Sequence, residues 1–278
     1  MCGTCGCSSN AQIRLLPSGG HVHPVGQAGK HDHGHHEDGN DGWHASHDDV
    51  QTTADSAESG RTIRLQQKVL AKNDELAAAN RQWLCDRGVL AVNLMSSPGS
   101  GKTTLLERTV MELAPQITIS VIEGDQETML DAKRIQAAGS RVVQINTGAG
   151  CHLDAGMVAG GLVGLDPPNG SVVVIENVGN LVCPALFDLG EAEKVVLASV
   201  TEGADKPLKY PHMFRQADLV LLNKTDLLPY VDFDVRQYSS TLRRAAPDAT
   251  LLQLSVTTGA GMQGWYDWLR RRVPPAPE

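Results

Sequence analysis

Between residues 89 and 271, short continuous apolar runs rich in Val, Ile and Leu alternate with amphipathic segments. Apolar runs of this length, uninterrupted by polar positions, predict strands buried on both faces. They fall at 89–96, 117–123, 141–147, 171–176, 194–201, 218–223 and 250–255. Helical patterns lie between and after them, at 102–113, 126–138, 152–163, 206–217, 234–246 and 262–271. Strand-helix alternation predicts an α/β fold, a doubly wound and mostly parallel sheet covered on both sides. Upstream, "IRLQQKVLAKNDELAAANRQWL" at 63–84 combines strong helix formers with recurring Leu, Val and Ala, so a helix leads into the first strand.

Composition divides the 278 residues unevenly. Residues 1–60 are mostly Gly, His, Asp, Ser and Thr, too poor in large apolar side chains to offset the entropy of ordering, and read as a disordered His-rich tail. The expected organisation is therefore a tail over 1–60, a helical lead-in over 61–88, a folded domain over 89–272 and a short C-terminal tail over 273–278. A formal net charge of -8 argues against nucleic-acid partners, which require a basic face. The chain opens on polar Cys-Gly-Ser residues instead of a basic and then apolar leader, and no run approaches the ~20 apolar residues of a membrane span. A cytoplasmic protein is expected, with its six cysteines as free thiols or metal ligands.

Candidate chemistry begins with "SSPGSGKTT", 96–104, set between a predicted strand and a predicted helix. The GxxxxGK[ST] pattern curls backbone N–H groups around phosphates at a helix N-terminus, while Lys reaches the outer phosphates and the hydroxyl holds Mg²⁺. Gly99, Ser100, Gly101, Lys102, Thr103 and Thr104 are the nucleotide-binding candidates, and Ser96 replaces the first glycine of the pattern. Guanine is selected by "NKTD", 223–226, at the end of an apolar strand. The Asp226 carboxylate would accept two hydrogen bonds from guanine that adenine cannot offer. Asn223 is expected on the other edge of the base, and the Lys224 stem along its ring. In "VVVIENVGN", 172–180, an acid ends a strand three residues before a glycine. Glu176 would hold the Mg²⁺ shell through water, and Gly179 would sense the γ-phosphate. "VIEGDQ", 121–126, offers Asp125 as a further Mg²⁺ candidate, although an ordinary strand-end turn reads the same residues equally well.

Soft ligands form a second group. Cys151 and His152 are adjacent in "TGAGCHLDAG", and Cys183 follows Gly179 by four residues. Thiolate with imidazole suits Zn²⁺, or Ni²⁺ in a flatter geometry. A buried Cys taken alone also reads as a small apolar residue. Both groups leave the C-terminal ends of predicted strands, where ligands gather in such sheets. Three protein ligands leave a four-coordinate ion incomplete, so water or a second copy of the chain must finish the site. Cys85 lacks a nearby partner and reads as a buried apolar residue. Cys2, Cys5 and Cys7 in "MCGTCGC" can wrap one soft ion. His21, His23, His31, His33, His35, His36, His44 and His47 can bind divalent ions collectively.

The series "NLMSSPGSGKTTLLE", "VIEGDQ", "GCHLDA", "IENVGNLVCP", "NKTDLL" and "SVTTGAGMQGWYDWL", together with "MCGTCGC", resembles the hydrogenase-maturation nickel-insertion GTPases of the HypB type. The resemblance implies a dimer-forming P-loop GTPase with slow GTP hydrolysis and Mg²⁺. It further implies delivery of nickel to the precursor of the large subunit of [NiFe] hydrogenase, alongside the family's companion nickel/zinc accessory protein. Cys151, His152 and Cys183 would be the G-domain metal site and the His tract a nickel store. Nickel as the metal comes from the resemblance, since the same ligands bind Zn²⁺. Competing readings are a GTPase chaperone for another metalloenzyme such as urease, or a nickel/zinc storage protein.

Overall fold

The computed structural model describes residues 12–16, 51–125, 129–148 and 150–275, with the backbone alone for 51–66. The chain forms two units, Gly19–Ala71 and the remainder, Met1–Ser18 with Lys72–Glu278. The larger unit holds an eight-stranded sheet. Its strands are β1 (Gln12–Leu15), β2 (Leu90–Ser96), β3 (Ile119–Asp125), β4 (Arg141–Asn146), β5 (Val172–Glu176), β6 (Glu193–Ser199), β7 (Leu219–Asn223) and β8 (Thr250–Gln253). The helices are α1 (Gln51–Asp86), α2 (Lys102–Leu113), α3 (Leu130–Ala137), α4 (Ala155–Leu165), α5 (Lys206–Lys209), α6 (Pro211–Arg215), α7 (Val235–Ala245) and α8 (Met262–Arg270).

The strand order is β1-β4-β3-β5-β2-β6-β7-β8, and every pairing is parallel except that of β1 with β4. From β2 the chain runs to β3 and β4 on one side, returns to insert β5 beside β2, then crosses to β6, β7 and β8 on the other. The point of reversal is the carboxyl end of β2, where doubly wound sheets open a crevice for ligands. All seven residues of β2 are buried, as the unbroken run "LAVNLMS" requires of a central strand. One face of the sheet packs Val92, Leu94 and Val174 against Leu105, Leu106 and Trp265 of α2 and α8. The opposite face packs Ala91, Val173 and Ile175 against Val158 and Leu162 of α4 and Leu84 of α1.

The seven expected strands are all present. Two helical expectations change. The segment 206–217 is two short helices, α5 and α6, because Pro211 forbids a helical Tyr210, which sits at φ -124 and ψ 54. The lead-in helix starts at Gln51, inside the stretch assigned to the tail. It docks through Asn73, Ala77, Asn80 and Leu84, while Leu76 stays exposed. Cys85, expected inside, is also exposed, because the helix turns that side away from the sheet. Residues 12–16 likewise leave the tail. β1 covers the open edge of β4 and satisfies its backbone groups, and Leu16 enters the core. Three apolar residues, Ile13, Leu15 and Leu16, set among Gln12 and Arg14 inside a polar stretch do not announce such docking.

Polar groups hold the end of α1. Asn73 Nδ2 donates to the Asp188 carbonyl at 2.8 Å, and its Oδ1 accepts from the Ala155 N–H at 2.9 Å. Asn80 Nδ2 donates to the carbonyls of Ala155 at 2.8 Å and Leu189 at 3.0 Å. Gly190, at φ 90, permits this approach, since a Cβ there would lie 2.6 Å from the Ala77 carbonyl. The helix stops where Gly88 turns left-handed at φ 60. Val89 N–H then returns to the Leu84 carbonyl and Gly88 N–H to that of Cys85. Replacing Asn80 by Ala orphans two carbonyls, so Asn80→Ala should cost about 2 kcal/mol. A denaturant midpoint lowered at unchanged slope would show it, and an unchanged midpoint would remove this tie from the stability of the fold.

Candidate nucleotide and metal site

β2 delivers the phosphate loop to the point of reversal. Gly99 and Gly101 stand at φ 73 and φ 106, backbone that side chains disfavour. A Cβ on Gly101 would also lie 2.7 Å from Asn223 Nδ2, so only glycine fits. The N-terminus of α2 follows, with its free N–H groups and positive dipole end. Ser96, the departure from the glycine pattern, has a role here. Its hydroxyl accepts from Lys102 Nζ at 2.8 Å and donates to the Ser97 carbonyl at 2.7 Å, parking the lysine across the loop. Burial lowers the Lys102 pKa, against the opposing pull of Glu176. The loop forms one wall of a cavity of about 580 Å³ lined also by Thr103, Thr104, Glu123, Asp125, Asp131, Arg134, Glu176, Gly179 and Lys224.

Acids close the opposite wall. Glu123 of β3 and Glu176 of β5 are paired in register, which sets two carboxylates side by side at the strand ends. Thr103 Oγ1 donates to Glu176 Oε1 at 3.2 Å. The second oxygen of each glutamate is buried with no hydrogen-bond partner among the described residues. Burial first, and then the neighbouring carboxylates, push Glu123 up to about 9. Burial likewise pushes Glu176 up to about 7, with Lys102 opposing. Orphaned buried oxygens and crowded acids around one hydroxyl are a donor set for a hard divalent cation such as Mg²⁺, which returns such carboxyls to the ionised form. Thr103, Asp125 and Glu176, the expected Mg²⁺ candidates, all line this cavity. Glu123, Asp131 and Arg134 were not anticipated. The spacing of Glu123 and Asp125 at i and i+2 on one strand, which aims both at one face, could have signalled the first.

Gly179 lies against the phosphate loop: a Cβ on it would meet three atoms of Pro98 at 3.2 Å. The base-side residues sit differently from expectation. Asn223 is almost fully buried, with Nδ2 donating to the Ser100 carbonyl at 2.9 Å and Oδ1 accepting from the Val256 N–H at 3.1 Å. It thus ties the phosphate loop to the loop after β8, and its acceptor oxygen faces the backbone of that loop. Lys224, left-handed at φ 61, reaches the Gly99 carbonyl at 2.7 Å. One carboxylate oxygen of Asp226 is buried with no hydrogen-bond partner among the described residues, and two base N–H groups would supply one.

Cys151, His152 and Cys183 come together, their ligand atoms all within 4.8 Å of one another. Cys151 Sγ lies 3.7 Å from His152 Nδ1. The His152 ring stacks on Phe187 with centroids 4.0 Å apart. Burial lowers its pKa, and Asp154 opposes the shift, so the neutral imidazole is favoured and its lone pair is available. Asp154 also caps α4, accepting from the Met157 N–H at 2.8 Å, which fixes the turn carrying both ligands. Two thiols and an imidazole fit Zn²⁺ or Ni²⁺ and leave a coordination position for a further ligand. Cys2, Cys5, Cys7 and the eight tail histidines lie outside the described residues.

Residues 90–253 match the CobW/HypB/UreG nucleotide-binding domain. The chain is 56% identical over 209 residues to the hydrogenase maturation factor HypB of Rhizobium leguminosarum bv. viciae, covering 75% of this chain and 70% of that protein. Its fold is similar to the crystal structure of the hydrogenase maturation factor HypB from Archaeoglobus fulgidus, with a TM-score of 0.69 and 40% identity over 73% of this chain and all of that one. It is also similar to HypB from Helicobacter pylori in complex with nickel, with a TM-score of 0.68 and 36% identity over 74% of this chain and 99% of that one.

The two raised glutamates make stability depend on pH. The folded state keeps protons that the unfolded chain releases near 4.5, so the stabilisation is complete below that value. It is lost as pH rises through about 7 for Glu176 and about 9 for Glu123. Without nucleotide and in chelator, the thermal midpoint should fall from about pH 5 to about pH 9, and Glu123→Gln should flatten the upper part of the fall. A Glu123→Gln curve parallel to that of the parent would mean that Glu123 is already ionised.

Proposed function

Because this chain belongs to the CobW/HypB/UreG nucleotide-binding family, on its HypB side, we propose that it is a GTP hydrolase that handles nickel for the maturation of [NiFe] hydrogenase. One observation carries this reading. A single end of the sheet gathers the phosphate loop, the buried acidic pair and the thiol–imidazole trio, and Gly179 against Pro98 is only four residues from Cys183.

In this reading the loop amides and Lys102 hold the β- and γ-phosphates once Lys102 leaves Ser96. Asp226 accepts the guanine N–H groups, and Asn223 keeps the loop in shape. Thr103, Glu176, Glu123 and Asp125 would hold Mg²⁺, which would supply neutralisation of the phosphate charge. Water attacks the γ-phosphorus and the bond to the β–γ bridging oxygen breaks, giving GDP and phosphate. With so few groups positioned on the water, slow turnover is expected. Loss of the γ-phosphate frees Gly179, which shifts Cys183 relative to Cys151 and His152 and releases the metal toward the hydrogenase large-subunit precursor. The open coordination position, with exposed Val182 and Leu186 beside Cys183, supports a homodimer promoted by GTP and metal, with the companion accessory protein as a further partner. Cys2, Cys5, Cys7 and the tail histidines store Ni²⁺ or Zn²⁺. The cytoplasm, where thiols stay reduced, is the expected setting.

Asp226→Asn should weaken GTP binding by about 2 kcal/mol or more and favour xanthine nucleotides, because an acceptor becomes a donor. Equal GTP affinity of variant and parent would remove Asp226 from base recognition. For the cellular role, the test is hydrogenase activity restored to a strain lacking this protein, at limiting nickel. Lys102→Ala and Cys183→Ser should each fail to restore it, although Cys183→Ser keeps GTP hydrolysis. Removing residues 20–50 should lower the Ni²⁺ bound per chain and spare hydrolysis. Full restoration by Lys102→Ala would favour a storage protein, and loss of urease in place of hydrogenase activity would favour a different client.

A further inference from the structure

We propose that Asn177 is the positioning residue through which the nucleotide pocket sets the geometry of the metal site. The inference rests on the coupling read above and names its path. Asn177 follows Glu176 directly, precedes Gly179 by two residues and borders the nucleotide cavity, and it is almost fully buried. Its Oδ1 accepts from the N–H of Leu153 at 3.2 Å and from the N–H of Val178 at 3.0 Å. Leu153 is the residue after His152. One amide oxygen therefore joins the residue beyond the cation-side acid to the residue beyond the metal-side imidazole.

The orientation of that amide is dictated from behind. Asn177 Nδ2 donates to Asn93 Oδ1 at 3.4 Å, and Asn93 Nδ2 donates to Glu191 Oε1 at 3.1 Å. Glu191 also accepts from the Leu189 N–H at 2.7 Å and pairs with Lys194 at 3.6 Å. Both Glu191 oxygens are placed as acceptors, from Asn93 and from the Leu189 N–H, so Asn93 presents its NH₂ to Glu191 and its oxygen to Asn177. Asn177 must then turn its own oxygen toward Leu153. The polarity of a chain that runs from half-buried Lys194 through buried Glu191, Asn93 and Asn177 is thus transmitted to one backbone N–H.

That N–H cannot exchange Asn177 for water, because the surroundings are closed and an orphaned donor is costly. The Leu153 side chain is held as tightly from the other side. A Cβ on Gly124 would come within 2.7 to 2.9 Å of three Leu153 side-chain atoms. Gly124 lies between Glu123 and Asp125, both on the cavity wall. Both acid-bearing strand ends therefore touch Leu153, and a displacement of either is carried by one peptide unit to His152.

The full-length chain is loaded with Ni²⁺ in GDP and in a non-hydrolysable GTP analogue. Occupancy is read from the thiolate-to-nickel absorption that Cys183→Ser abolishes, which isolates this site from the tail. The parent should show a several-fold difference in Ni²⁺ affinity between the two nucleotides, matched by an equal effect of Ni²⁺ on analogue affinity. Asn177→Ala should bind GDP and Ni²⁺ each within a few-fold of the parent while the ratio falls to within about twofold of one. If that variant does not fold, Asn93→Ala, which frees the amide to turn, carries the same expectation. A parental ratio preserved in the variant overturns this inference and leaves the coupling intact. A ratio of one in the parent removes the coupling itself, and this path with it. Equal weakening of both affinities at constant ratio would make Asn177 a structural residue only.

Discussion

Two carboxylates buried side by side, on Glu123 and Glu176, are the constraint on which the site depends. Glu176 closes the apolar strand β5, Glu123 lies two residues before the end of β3, and each carries an oxygen with nothing to accept from among the described residues. Burying like charges together is unfavourable unless they are neutralised by protons or a cation. In the free chain, protons take that role, as the raised pKa values of both groups express. In the reading proposed here, Mg²⁺ and nucleotide displace those protons, and the neighbourhood reorganises around the new charge. Lys102 and Thr103 are placed for that exchange, one parked on Ser96 and the other already bonded to Glu176.

That juxtaposition is a product of strand order. β5 lies between β3 and β2, so the acid of one βα connection faces the acid of another across a parallel register. The same insertion brings the loop after β5, with Gly179 and Cys183, beside the phosphate loop on one flank and the turn after β4 on the other. Cys151 and His152 leave that turn, and the Asp154 cap fixes its exit. One topological feature therefore builds the acidic wall and assembles Cys151, His152 and Cys183.

The polar chain from Lys194 to Asn177, buried from Glu191 inward, reaches the middle of the sheet, where apolar residues would pack more simply. Such a network stabilises only when every member is satisfied, and it then specifies a single arrangement. Its members come from β2, the loop after β5 and the segment entering β6, three elements that meet only at the point of reversal. On the face where it packs, α1 is held by Asn73 and Asn80 together with Ala77 and Leu84. The docking of that helix therefore depends on hydrogen-bond direction as well as on buried area.

Local pattern determined much of this protein. Unbroken apolar runs such as "VVVIE" could only be buried strands, and the glycines of "PGSGKTT" could only be a close backbone turn before a helix. Adjacent ligands, Cys151 with His152, were legible for the same reason, since their chemistry lies within a few residues. The tertiary structure decided what depends on distant partners. Glu123 came to face Glu176 because β5 pairs with β3. Asn223 became a loop tie because Ser100 and Val256 converge on it. The run at 12–16 became an edge strand because β4 offered unpaired backbone groups, and Pro211 ended a helix whose periodicity continued past it. Periodicity and spacing report the nearest ten residues of chain, whereas burial, hydrogen-bond direction and raised pKa values arise from neighbours that only the folded sheet brings together.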